Sequence, residues 1–230
     1  MSILENLKTE RMKLTQVSKK LDITVTEASR HLQRLSDAKL ISRDSDGLYL
    51  LTGLGKLAIS QIPNLSFITD HSEYFLSHDP STLPYQFLNR LGELSECRFD
   101  SDTGRNVNHS AQMVKDAEEY ACVMTYQYPV LTTSIIEQRL DEGLDFRFLF
   151  PEGVQPPEGI RLDVFRRCSM RSIPRIEARV ILTDKEAQFG VPSTDGRSDY
   201  AAFISQSEKF RRWSRDLFEH YWGTGKKLLL

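Results

Sequence analysis

Between residues 14 and 52 the chain carries two apolar stripes of helical period separated by three residues, followed by two β-like runs around an Asp-Gly pair. Few folds accept that order. Leu14, Val17 and Leu21 stand at offsets 0, 3 and 7, the stripe of a short amphipathic helix, and Asp22-Ile23-Thr24 interrupts it. From Thr24 onward Ala28, Leu32 and Leu35 repeat at offsets 0, 4 and 7, and Leu40 and Ile41 close the apolar face. Residues 40–44 and 48–52 read as strands flanking Ser45-Asp46-Gly47, a strong hairpin signal. Two helices joined by a three-residue turn, the second opening on small polar residues, form a helix-turn-helix; with the hairpin after it, the segment predicts a winged helix.

Such a second helix enters the major groove of double-stranded DNA. The spacing places Thr26, Ser29, Arg30 and Gln33 nearest the base edges, with Lys19, Arg34, Arg43 and Lys56 toward phosphates. Arg43 is the only cation of the wing, beside Asp44 and Asp46, and those carboxylates oppose phosphate contact there. Winged helices also dock proteins, so an interaction adaptor is the alternative reading. Charge favours the first reading weakly. Residues 1–62 hold 10 Lys/Arg against 7 Asp/Glu, whereas residues 63–230 hold 20 against 25, an asymmetry hidden in the net charge of −2.

The run over residues 28–41, centred on Arg30-His31-Leu32-Gln33-Arg34-Leu35, resembles the recognition-helix signature of ArsR-like and MarR-like winged-helix regulators. Leu51-Thr52-Gly53-Leu54-Gly55-Lys56 is similar to the segment where such wings return into a following helix. The resemblance covers about residues 2–62. It implies a homodimer built on the helix that follows the wing and a palindromic operator read by two copies.

Composition excludes several classes. With 40% hydrophobic and 27% charged residues, 12 Gly and 9 Pro, collagen-like and disordered readings fail, and the longest apolar runs are core-sized, so no membrane partner is expected. The first residues lack the basic stretch and apolar segment of a secretory signal, and a cytoplasmic location is expected. Cys97, Cys122 and Cys168 are odd in number and widely spaced, which suggests buried free thiols rather than disulfides or a zinc site; no cofactor is expected.

The remainder alternates strand and helix signals. Residues 120–126 read as an apolar strand, residues 129–142 as a helix, and residues 144–150 as a strand again, a parallel crossover. Residues 178–184 and 187–191 form a hairpin around Lys185-Glu186, and a last helix over residues 207–222 carries Phe210, Trp213, Leu217, Phe218 and Tyr221 on one face. Leu54, Leu57, Ala58 and Ile62 continue a helix that Pro63 is expected to end. The expected organisation is a mixed α/β chain: a winged helix-turn-helix over 1–62, a helical connector over 63–82, and an α/β sensing and dimerisation domain over 83–230.

Residues 181–187 (Ile-Leu-Thr-Asp-Lys-Glu-Ala), 195–200 (Asp-Gly-Arg-Ser-Asp-Tyr) and 213–222 (Trp-Ser-Arg-Asp-Leu-Phe-Glu-His-Tyr-Trp) resemble the middle domain of archaeal FilR-type methanogenesis regulators, and more distantly the sugar-sensing TrmB regulators. The match spans roughly residues 83–227. It implies a phospholipase-D-like fold used for sensing a small-molecule effector. Catalysis of that kind needs a His nucleophile with a Lys two residues later to hold the phosphate. Two positions beyond His31, His71, His78, His109 and His220 stand Gln33, Glu73, Pro80, Ala111 and Trp222, so the chain is not expected to be an enzyme.

In an α/β sheet ligands sit beyond the carboxyl ends of the strands, which selects Thr125, Tyr126 and Tyr128 after one strand and Phe150 and Pro151 after another. Arg147, Arg171, Arg175 and Arg179 are candidates for an anion, each equally readable as a surface charge paired with Asp145, Asp163 or Glu177; Arg147 is the one carried into the expected site. Asp195 and Asp199 bracket a turn that either contacts ligand or is simply capped by its aspartates.

Overall fold

The computed structural model describes residues 2–195 and 199–230, and the chain divides into two compact units, Met1–Ser66 and Phe67–Leu230. In the first, α1 (Ile3–Thr9) starts on a capping box of Ser2 and Glu5. α2 (Leu14–Leu21) ends where Asp22 adopts the left-handed conformation at φ 53°, its N–H donating to the Ser18 carbonyl. The Ser18 hydroxyl then donates to the Ile23 carbonyl at 2.6 Å, closing the turn. α3 (Val25–Asp37) opens on a second capping box: Glu27 N–H donates to Thr24 Oγ1, and Thr24 N–H donates to Glu27 Oε2 at 2.9 Å.

Strands β1 (Ile41–Arg43) and β2 (Tyr49–Leu51) pair antiparallel, Ile41 opposite Leu51 and Arg43 opposite Tyr49, around Gly47 at φ 77°. Val17, Ala28, Leu32, Ile41, Leu51 and Ile59 form the core, joined by Ile3, Leu7 and Met12. The winged helix expected from spacing is therefore present, with a short extra helix before it.

α4 (Gly53–Asp70) departs from expectation, because it runs through Pro63. An interior proline removes one helical hydrogen bond and costs about 3 kcal/mol. Phe67, one turn further on, is 1% exposed among Tyr74, Phe75 and Phe203, and its burial offsets that cost.

The second unit begins with α5 (Ser72–Ser77) and α6 (Tyr85–Leu88), and then alternates β3 (Arg98–Asp100), α7 (Thr103–Asp116), β4 (Tyr120–Met124), α8 (Thr133–Asp141), β5 (Asp145–Pro151), α9 (Leu162–Arg166) and β6 (Ser169–Ile173). It closes with β7 (Arg179–Thr183), β8 (Ala187–Gly190), β9 (Ala202–Ser205), α10 (Glu208–Thr224) and β10 (Lys226–Lys227). The eight strands make one sheet in the order β10-β6-β5-β4-β7-β8-β9-β3. β4, β5 and β6 are mutually parallel, as the crossover pattern requires, and the β7–β8 hairpin pairs Ile181 with Gln188.

Strand alternation gives each face its own core. Phe146, Phe148 and Phe150 of β5, with Ala121 and Val123 of β4, pack beneath α7, α8 and α9. Leu149, Cys122 and Met124 point the other way, toward Trp213, Leu217 and Phe218 of α10. Cys122 and Cys168 are buried free thiols, whereas Cys97 is only half-buried. No helix among the described residues is long and apolar enough to cross a membrane.

Candidate nucleic-acid interface and candidate ligand cavity

On α3 the apolar positions Ala28 and Leu32 are fully buried, which turns Thr26, Ser29, Arg30 and Gln33 outward along one side. All four are exposed. Gln33 Nε2 donates to Asp37 Oδ1 at 2.8 Å, one turn along the helix. Among the described residues neither Arg30 nor Arg34 has a carboxylate at ion-pair distance, so their charges are free to meet a polyanion. Lys19, at the end of α2, and Lys56, in the first turn of α4, are exposed, whereas the neighbouring Lys20 is paired with Glu10 at 2.6 Å.

The wing differs from its sequence reading. Asp44 accepts N–H groups from Asp46 at 3.0 Å and Leu48 at 2.9 Å and lies 3.6 Å from Arg11, so much of its charge is absorbed by the turn it builds. Arg43 folds back to donate to the Gly47 carbonyl and lies 5.6 Å from the Tyr49 ring centre. Thr52, at the exit of the wing, accepts the Gly55 N–H at 3.0 Å and donates to the carbonyls of Lys39 and Leu40. That tie gives the Thr-x-x-Gly pattern a mechanical meaning: it fastens the start of α4 to the end of α3.

In the second unit a cavity of about 460 Å³ lies between the sheet and helices α7 and α8. Val114, Val123, Ile136, Phe146, Phe148 and Ile181 make its apolar wall, and Thr125 and Tyr128 contribute from the carboxyl end of β4, as expected. Tyr126, the next residue, faces the α10 side, and its buried hydroxyl has no partner among the described residues; burial raises its pKa.

Arg147 is not in the cavity. Its odd position on β5 sends it to the opposite face, where it pairs with Asp145 at 3.1 Å and Glu219 at 3.3 Å. Asp199 is also engaged elsewhere, accepting from Ala201 N–H at 3.0 Å and meeting His78 Nε2 at 3.0 Å. Asp195 is exposed and does not line the cavity, while Gly196, Arg197 and Ser198, part of the same motif, lie outside the described residues.

The arginine that does line the cavity is Arg179, 4% exposed at the start of β7. Arg171 donates to the Trp222 carbonyl and lies over the Trp222 ring, and Arg175 pairs with Glu177, so of the four only Arg179 lines the cavity. Its Nη2 donates to the Tyr200 carbonyl at 2.9 Å, and its guanidinium lies 4.9 Å from the Tyr200 ring centre. Desolvation lowers its pKa, although arginine keeps its charge. A clue was present in the sequence: Arg179 shares the parity of Ile181 in an otherwise apolar strand, the place where a charge is least expected. His109, one of the histidines without a following lysine, sits midway along α7 and pairs with Glu186 at 3.0 Å.

Residues 1–69 match the family model described as winged helix-turn-helix. No curated protein matches the chain. Among solved structures the chain is similar to TrmBL2, an archaeal chromatin protein whose structure shows a novel mode of DNA binding, at 10% identity and a TM-score of 0.48, covering 98% of this chain and 92% of that one. It is also similar to NucT from Helicobacter pylori, at 7% identity and a TM-score of 0.46, covering 57% of this chain and 97% of that one. The chain thus combines an N-terminal winged helix-turn-helix with a second unit built on a mixed eight-stranded sheet.

Proposed function

We propose that the chain is a DNA-binding transcription regulator whose second unit is a non-catalytic sensor of a small-molecule effector. The observation that carries the reading is the outward side of α3, where Thr26, Ser29, Arg30 and Gln33 are exposed together, with Arg30 and Arg34 lacking ion-pair partners among the described residues. In this reading α3 lies in the major groove, Arg30 grips a guanine edge, and Lys19, Arg34 and Lys56 hold phosphates. Arg43 reaches the backbone only by leaving the Gly47 carbonyl.

Two copies bind a palindrome through α4. Leu54, Leu57 and Leu65 share one side of that helix and are 52%, 62% and 63% exposed, an apolar strip that a second α4 would cover. The sensor role draws on the FilR-like motifs, whose phospholipase-D-like relatives imply a catalytic His-x-Lys pair that this sequence lacks.

Binding of the purified chain to its own upstream DNA and to random duplex, across a salt series, tests the reading. Tighter binding to the upstream DNA with a steep salt slope is expected. Failure on both duplexes at low salt, with cell extract supplying effector, assigns the winged helix to protein docking instead.

A further inference from the structure

Arg179 is a buried cation in a wall that is otherwise uncharged among the described residues. Among the described residues its one hydrogen bond is to the Tyr200 carbonyl, which also accepts from the buried Asn106 Nδ2 at 3.0 Å. Among the described residues no carboxylate lies at ion-pair distance from it: Glu177 is paired with Arg175, and Asp199 is taken by His78 and Ala201. An unpaired charge out of water is costly, and an anion entering from the cavity is the group that offsets it. Tyr200, whose ring lies against the guanidinium, is held at φ 60°, a left-handed conformation that a non-glycine residue keeps only where its surroundings impose it. The Tyr200 hydroxyl accepts a hydrogen bond from Gln127 Nε2, which holds the ring beside the charge.

The rest of the cavity defines the body of the ligand. Val114, Val123, Ile136, Phe146 and Phe148 offer no charge, and Val130 and Leu131 present exposed apolar side chains at the rim. Among the described residues Arg179 is the one cation of the lining and matches one negative charge; a second acid group would meet only neutral side chains such as Ser110, Thr125, Gln127 and Gln155.

Resting on the sensor reading, we propose that the effector is a small organic acid with a single carboxylate and an aliphatic or aromatic body, its carboxylate on Arg179 and its body against Val123, Phe146 and Phe148. The volume, about 460 Å³, falls within the usual size of small-molecule sites.

Calorimetric titration of the full chain, without DNA, with octanoate and 2-naphthoate beside octanol and suberate tests this. At least one carboxylate should bind, with octanol and suberate weaker by about tenfold or more, the contribution of a charged hydrogen bond in a dry site. Arg179→Gln should weaken that carboxylate by a similar factor and leave octanol unchanged, which also reports that the cavity is intact. Val107→Trp, half-buried on α7 at the cavity, should weaken every ligand by filling the space. Octanol binding as tightly as octanoate, full carboxylate binding by Arg179→Gln, or no binding of either carboxylate at millimolar concentration overturns the proposal. Because DNA is absent, a chain that binds octanoate but no operator keeps this inference and loses the regulator reading, and the reverse outcome separates them equally well.

Discussion

Gly55 lies so close to Leu40 that a Cβ on the glycine would stand 1.9 Å from the Leu40 carbonyl oxygen. The contact joins the first turn of α4 to a residue between α3 and β1, and a backbone oxygen cannot step aside cheaply. Gly55→Ala should therefore destabilise the winged helix by about 1–3 kcal/mol or more. Gly53→Ala, with nothing within 4 Å of its Cβ, should be near neutral. Urea unfolding of the two variants separates these outcomes, and equal midpoints would show that the close approach relaxes without cost.

Arg30 and Lys19 should fail on DNA in different ways. Arg30→Ala should lose ~1–3 kcal/mol on the operator and relax discrimination at one base position, with little change on random duplex. Lys19→Ala should weaken all sequences alike and lower the salt slope by about one. Equal losses for Arg30→Ala on both duplexes would remove its base-reading role.

The apolar strip of α4 sets the expected assembly. Replacing Leu57 and Leu65 together by Glu should halve the mass seen by sedimentation, because two carboxylates would meet their copies across the helix pair. The variant should lose affinity for a two-half-site duplex far more than for a single half-site. A wild-type chain that sediments as a monomer at tens of micromolar concentration counts against α4 as the interface.

Alkaline pH should unfold the second unit early. Burial pushes the Cys122 and Cys168 thiols from 9.0 up to about 12, so the folded chain keeps both neutral while the unfolded chain ionises them. Stability is thus intact below pH 9 and falls as pH rises from 9 toward 12, by roughly 1 kcal/mol per buried thiol per pH unit. Denaturation of Cys122→Ala and Cys168→Ala against pH checks the slope, which each replacement should flatten. In the native chain at pH 7.5 neither thiol should react with a thiol reagent.

The winged helix was legible because its determinants are local: a three-residue turn, small polar residues opening α3, and an Asp-Gly hairpin each act within a few positions. The parallel pair β4–β5 was legible from two apolar runs bracketing a helix. Pro63 misled, because the residue that carries α4 past it, Phe67, is stabilised by Phe203, 136 positions away. β3, β6, β9 and β10 went unread; three of them are short, and β6 alternates too weakly, with Arg171 in its centre. The ligand site was half legible. Thr125 and Tyr128 follow from the end of β4, but choosing Arg179 over Arg147 requires knowing which face of the sheet each strand turns toward the cavity, and that depends on register set by distant partners.

β5 also bears on how such a chain can change over time. Its even positions, 146, 148 and 150, belong to the cavity side, and its odd positions, 147 and 149, belong to the side covered by α10. Substitutions at 146 or 148 can reshape what the cavity accepts while leaving the α10 packing untouched. Selection on the ligand and selection on folding therefore act on separate letters of the same seven-residue strand, and the preference for one small molecule can drift without the scaffold being rebuilt.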